Sequence, residues 1–268
     1  MKHLVITISL WLLSQYASTQ WDEKFYHPDT VWTEISLPGT EEISFTAGAD
    51  TVYSFLIKPQ GGKKIEATVI YLHGNGSNAS KWTEHISPLL ESGCQVAIMD
   101  YRGYGKSTGK PTHINIAEDA QQLFDLLMER EDVKRLPVII YGASIGSQSA
   151  AHLARNNNNR VSALILDGAM TSFTDVAVAI SPTEYHEVIK KYVLSPYSAR
   201  KDVKLLKDMS LLIIHSETDA IPISGARELY DSATCRKDFW LYEGEHVMAA
   251  VRYPEELKEW TRKILDRL

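Results

Sequence analysis

Ser144 stands in Gly142-Ala143-Ser144-Ile145-Gly146, between an apolar run at 138–141 and a small-residue helical pattern at 149–154. Gly-x-Ser-x-Gly between a strand and a helix has a mechanical meaning. The serine occupies a strained turn, the glycines let the strand and helix backbones approach, and the hydroxyl stands clear above the sheet. Taken alone, the five residues also read as glycines relieving a tight turn. Their place between strand and helix makes Ser144 a nucleophile candidate. A serine hydroxyl near neutral pH still needs a base beside it, usually histidine, held in one tautomer by a carboxylate.

Reactive groups of open α/β sheets gather beyond the carboxyl ends of strands, so the acid and base are sought there. Asp219 follows the apolar run 211–214, and His246 follows the run 238–242. The order Ser144, Asp219, His246 is one in which nucleophile, acid and base recur. Of the other histidines, His215 shares the acid's loop. His85, His113, His152 and His186 fall on helices or their approaches, where surface or capping roles are expected. Glu217 and Asp167 compete with Asp219. Pro222 favours Asp219, because a proline can open a helix and leave the aspartate on the loop before it.

Acyl transfer also needs donors aimed at the developing oxyanion, each worth about 3 kcal/mol. The amide of Ile145, at the helix start, is one. The second is assigned to Asn75 in His73-Gly74-Asn75-Gly76, after the third strand, although that loop also reads as a plain turn. His73 is expected to bond locally and not to act as a base. Asn75 and Asn78 each open an Asn-x-Ser glycosylation pattern. A glycan on Asn75 would block the site, so both patterns are read as incidental.

The elements that must position these residues follow from periodicity. Residues 43–45 and 51–57 alternate around a turn at 48–50, a hairpin signature. Continuous apolar runs at 67–72, 95–99, 138–141, 161–166 and 211–214, with a last strand at 238–242, alternate with helical patterns. Such runs mean a largely parallel sheet covered on both faces. One helix carries Ile116, Ala120, Leu123, Phe124 and Leu127 on a face, with Asn115 as its expected N-cap. The Asn156–Asn159 run reads as a helix stop, since asparagine tolerates left-handed backbone. Residues 169–210 are long for a crossover. Tyr185, Ile189 and Tyr192 or Val193 suggest a helix there, and a small lid that selects substrate is expected from this insertion.

A chain of 268 residues, 44% hydrophobic and 23% charged, fits one α/β domain. The net charge of −6 and the lack of a Lys/Arg run argue against a nucleic-acid partner. Lys2, the apolar run 4–13 and the small-residue stretch to Thr19 read as a signal peptide over 1–19, leaving 20–268 as the domain. A secreted or periplasmic location follows. The alternative is an uncleaved N-terminal anchor, the only route to membrane contact, although the run is shorter than the roughly 20 residues a spanning helix needs. Cys94 and Cys235 precede strands that would not be neighbours, so two free thiols are expected. No Cys/His pair has ligand spacing, which argues against a metal.

Taken together, residues 72–77, Asp100-Tyr-Arg-Gly-Tyr-Gly-Lys-Ser107, 142–146, 216–222 and Gly244-Glu-His246 resemble the α/β-hydrolase superfamily. The likeness is to its abhydrolase-domain branch of lipases, esterases and acyl-protein thioesterases, and it spans residue 25 to the C-terminus. It implies a mostly parallel eight-stranded sheet, no cofactor, Ser144, Asp219 and His246 as nucleophile, acid and base, and Asn75 and Ile145 at the oxyanion hole. The 100–107 loop would be structural, with Arg102 as its anchor. Ala143 departs from the bulkier residue many members carry, which bears on the acyl pocket. The expected activity is cleavage of carboxylic esters of small or acyl-chain substrates through an acyl-enzyme. A thioesterase or peptidase on the same triad is the alternative. An inactive hydrolase-fold binding protein is the alternative of another class.

Overall fold

The computed structural model describes residues 22–268, so the expected signal peptide lies outside the described residues. Eight strands form one sheet: β1 (Thr40–Ala47), β2 (Asp50–Ile57), β3 (Ala67–Leu72), β4 (Cys94–Met99), β5 (Val138–Ala143), β6 (Val161–Asp167), β7 (Ser210–Ser216) and β8 (Arg236–Tyr242). Their order is β1-β2-β4-β3-β5-β6-β7-β8. The β1–β2 hairpin and the β2–β4 pairing are antiparallel, and every other pairing is parallel. β3, β4 and β5 are buried along their whole length, as strands covered on both faces must be.

Alternation assigns each face its helices. Val69 and Tyr71 of β3 pack with α1 (Thr83–Glu91), through Ile86 and Leu89, and with α9 (Pro254–Leu265), through Leu257 and Ile264. Ile70 and Leu72 face the other way, into a core shared with α2 (His113–Met128), α3 (Gly146–Asn156) and α7 (Ile223–Ser232). Short α8 (Ala249–Arg252) joins the first group. Cys94 opens β4 and Cys235 precedes β8, far apart in the strand order, and both are free thiols.

Three expectations are corrected. The N-cap of α2 is Thr112, not Asn115. The Thr112 hydroxyl accepts the Asn115 amide while the Asn115 side chain accepts the Thr112 amide, so the two share a reciprocal box. The α3 stop needs no left-handed backbone: its C-cap Asn157 has φ −120°, and its side chain bonds Gln121 and the Leu153 carbonyl. His113 is neither exposed nor a cap. It is buried, stacked 3.5 Å from Phe173, with Nδ1 2.8 Å from the Tyr26 hydroxyl and Nε2 3.2 Å from Asp22.

The 169–210 insertion carries α4 (Phe173–Ala179), α5 (His186–Tyr192) and α6 (Ala199–Asp202). Ile189 and Val193 are buried, whereas Tyr185 and Tyr192 are exposed, so the expected stripe is only half a core face. Phe173 and Tyr197 fix the segment: Phe173 packs on Phe25, and the Tyr197 hydroxyl donates to the His113 carbonyl.

Candidate active site

At the end of β5 the chain turns through Ser144 at φ +53°, a left-handed value that is strained for any residue with a Cβ. Both glycines are required by space. A Cβ on Gly142 would lie 2.5 Å from that of Ala150, and one on Gly146 would lie 2.7 Å from the His73 carbonyl oxygen. The Asp167 carbonyl accepts the Ser144 amide at 2.7 Å and pins the turn to β6.

His246, on the loop after β8, reaches Ser144. Its Nε2 lies 2.7 Å from Ser144 Oγ, and its Nδ1 lies 2.7 Å from Asp219 Oδ2. A carboxylate only accepts, so Nδ1 carries the proton and Nε2 is left to accept from the serine hydroxyl. Gly168 makes room for the ring, since a Cβ there would lie 2.5 Å from His246 Cε1. Asp219 also accepts the Ile221 amide at 2.8 Å. Burial pushes its carboxyl up, but the His246 hydrogen bond and charge outweigh this and hold it below the ordinary value.

The rival side chains have other partners. Glu217 is exposed. Asp167 accepts the Tyr141 hydroxyl at 2.8 Å; burial drives its pKa up to about 7, against the pull of Tyr141 and His246. His215 Nε2 donates to the Ile221 carbonyl at 3.0 Å and so braces the loop that carries Asp219. Asn78 is fully buried and its side-chain amide donates to the carbonyls of Asp29 and Val31, so that nitrogen is committed within the fold.

Ile145 precedes α3, so its amide sits at the positive end of that helix. The loop after β3 approaches from the other side, and His73 sets its first peptide. His73 Nδ1 donates to the Gly74 carbonyl at 2.7 Å, and because a trans peptide points its N–H opposite its C=O, the Asn75 amide faces away from His73. Burial lowers the His73 pKa to about 4, so the ring is neutral and its buried Nε2 needs no counter-charge. Arg102 anchors its own loop through a two-pronged contact with Asp119 and a third to Asp50.

Ser144 and His246 open into a cleft of about 360 Å³, walled by residues 74–77, Trp82, His85 and Val247, with Lys81 at its edge. The 169–210 insertion lines none of it. That segment instead walls a separate cleft of about 210 Å³ with Ile221 and Pro222, because Phe173 and Tyr197 hold it to the flank. Sequence reasoning therefore missed the walls, Trp82, His85 and Val247. Their closeness to Ser144 comes from the fold and not from any local pattern. Ser77 and Val247, at φ +68° and +58°, join Ser144 as left-handed residues around this cleft. A β-branched residue in that region is an outlier, and here it directly follows His246.

The sheet order, with a serine on the strained turn after its central strand, defines an α/β hydrolase. The chain belongs to the Hydrolase_4 family, serine aminopeptidase S33, whose sequence model matches residues 63–209. It is similar to YfhR of Escherichia coli (strain K12), with 30% identity over 235 residues covering 85% of this chain and 78% of that one. It also resembles the alpha/beta hydrolase domain-containing protein WAV2 of Arabidopsis thaliana, 28% identical over 225 residues, 72% of this chain and 73% of that one. Among solved structures, the Pyrococcus furiosus esterase Pf2001 matches with a TM-score of 0.70 at 22% identity, covering 90% and 98% of the two chains. Acetyl xylan esterase 1 from Thermoanaerobacterium sp. matches at 0.66 and 20%, covering 94% and 93%. At these identities the structural matches speak to the fold.

Proposed function

We propose that the protein is a serine esterase acting on carboxylic esters with a small acyl group. The observation that carries this reading is the hydrogen-bonded line Asp219–His246–Ser144, with both links at 2.7 Å. Ser144 Oγ attacks the ester carbonyl as His246 Nε2 takes its proton. The carbonyl oxygen becomes an oxyanion facing the Asn75 and Ile145 amides. Collapse expels the alcohol, protonated by His246, and leaves an acyl-serine. Water then attacks with the same base and releases the acid and free Ser144. Asp219 holds the Nδ1–H tautomer throughout and stabilises the imidazolium.

The cleft of about 360 Å³ favours a short acyl group. An aminopeptidase reading is less well supported, because a substrate α-ammonium calls for a carboxylate. The cleft lining has none among the described residues and carries Lys81 instead. A thioesterase shares every step and differs only in the leaving atom. The test is hydrolysis of 4-nitrophenyl esters of graded chain length together with labelling by a fluorophosphonate probe. Ser144→Ala should lose both, with kcat down by on the order of 10⁴-fold or more. Equal labelling of both proteins would sink the assignment, and a wild type inert to esters and probe would favour the binding-protein alternative. Secretion or periplasmic export is proposed from residues 2–19 alone. An intact mass beginning at Gln20 is expected, and a membrane fraction retaining residue 1 would favour the anchor.

A further inference from the structure

Of the side chains that wall the cleft beside Ser144, the indole of Trp82 is the largest. The glycine between the two fixes how close they stand. A Cβ on Gly74 would lie 3.1 and 3.2 Å from Cζ2 and Cη2 of the indole and 3.6 Å from Ser144 Cβ. One methyl group there would touch both, so only a glycine parts the indole from Ser144. The indole Nε1–H donates to the Gly76 carbonyl at 3.4 Å, and the ring edge therefore runs along the loop after β3.

We propose that Trp82 selects substrate by size: its indole stops the acyl chain a few carbons from the carbonyl, with His85 holding the ring in place. This rests on the esterase reading and gives it a substrate limit. The alcohol must leave past His246 Nε2, which protonates it, so the group turned toward the Gly74 side is the acyl group.

The backing of the indole is visible in the packing. Trp82 is only 9% exposed and lies in the core beside Tyr71. The His85 ring rests against it, with centroids 4.4 Å apart. His85 Nδ1 is buried without a hydrogen-bond partner, and the ring bonds instead to the Val247 main chain. Burial lowers the His85 pKa, so the ring is neutral at pH 7 and presents the substrate no charge. Trp82, His85 and Val247 thus join the loop after β3 to the residue that follows His246.

This wall is held from behind. Trp82 closes the short 3₁₀ turn Ala79–Lys81 and opens α1, and residues 22–33 cross that turn as a strap. The Asn78 side-chain amide donates to the carbonyls of Asp29 and Val31 at 2.9 and 3.0 Å. Ser80 Oγ accepts the Thr33 amide at 3.1 Å, and Lys81 pairs with the Asp29 carboxylate. The strap also reaches the neighbouring loops: the Asn75 carbonyl accepts the His27 amide at 3.1 Å, and the Asp29 carbonyl accepts the Gly105 amide at 2.9 Å. A wall tied down in this way sets a size limit instead of adapting to its ligand. The strap precedes the 63–209 region matched by the family model, so the hold comes from this chain's own N-terminal side.

Hydrolysis of 4-nitrophenyl acetate, butyrate and octanoate tests the assignment. The readout is the octanoate-to-acetate ratio of kcat/KM, which does not depend on the fraction of protein folded. It should be below about 0.1 in the wild type, and Trp82→Ala should raise it about tenfold or more. Trp82→Leu, which keeps the core contact but removes the outer ring edge, should raise it about threefold or more. Leu89→Ala, a buried change on the same helix, controls for loosening of α1 and should leave the ratio within about twofold. A series of acetate esters of graded alcohols should respond to Trp82→Ala by no more than about twofold. The proposal is overturned if the wild type takes octanoate as readily as acetate or if both Trp82 variants keep its ratio. It is overturned equally if Leu89→Ala shifts the ratio as far, or if the alcohol series moves in place of the acyl series. Ser144→Ala separates the levels. Ser144-dependent turnover with an unmoved ratio sinks only this inference, whereas turnover that is absent or survives Ser144→Ala sinks the esterase reading and this with it.

Discussion

Two aspartates flank His246, and burial ends differently for each. Asp219 spends its lone pairs on His246 Nδ1–H and the Ile221 amide and stays ionised. Asp167 has only the Tyr141 hydroxyl, with Oδ1 buried and unbonded, and its pKa rises to about 7. Asp219→Asn should therefore cost about 10³- to 10⁴-fold in kcat by releasing the imidazole tautomer. Asp167→Asn should keep kcat within about tenfold, and the reverse ranking would make Asp167 the acid. Stability separates them too. Between the ordinary value of 3.8 and about 7, folded Asp167 holds a proton that the unfolded chain has released. The associated stability is fully present below about pH 4 and is lost as the pH rises toward 7. Asp167→Asn should thus gain on wild type by on the order of 2 kcal/mol between pH 5 and pH 8. Urea midpoints at both pH values measure this, and a difference that does not change with pH would contradict the buried-acid account. Asp22 and Asp100, each raised to about 6 by burial, tilt both proteins equally.

At the scale of elements, the elbow is a packing problem between β3, β5 and α3. Gly146→Ala would drive a methyl into the carbonyls of Leu72 and His73, backbone that cannot swing aside. A loss of about 2–4 kcal/mol in urea unfolding is expected, with turnover falling as Ser144 shifts. An unchanged urea midpoint would mean the α3 start can slide. This elbow was legible because glycine spacing and strand periodicity are local properties. So were the strand ends that carry Asp219 and His246, since apolar runs mark strands and the residues after them are fixed by chain order. The strap at 22–33 was not legible. It works through main-chain bonds from a stretch without period, and nothing in His27 or Asp29 announces partners at Asn75, Asn78 and Gly105. His113 failed for a related reason. Helix position alone places it outside, while Asp22 and Phe173, distant in sequence, bury it. The α2 cap was ambiguous because Thr112 and Asn115 can both cap, and in the fold they cap each other.

For the whole molecule, the sheet itself is the cross-link. Cys94 and Cys235 sit on β4 and just before β8, with four strands between them in the order, so no bridge contributes. Melting temperature should be the same with and without a thiol reductant, and a drop on reduction would reveal a bridge between molecules. The same topology spreads the proposed site along the chain: the loop at 75, the proposed nucleophile Ser144, its proposed acid Asp219 and its proposed base His246. Ser144 and His246 are 102 residues apart. A ribosome releases the amino terminus first, so Ser144 emerges well before His246, its proposed base. On the esterase reading, a chain still short of His246 lacks its base, and Ser144 is armed only once all but the last two helices have been made.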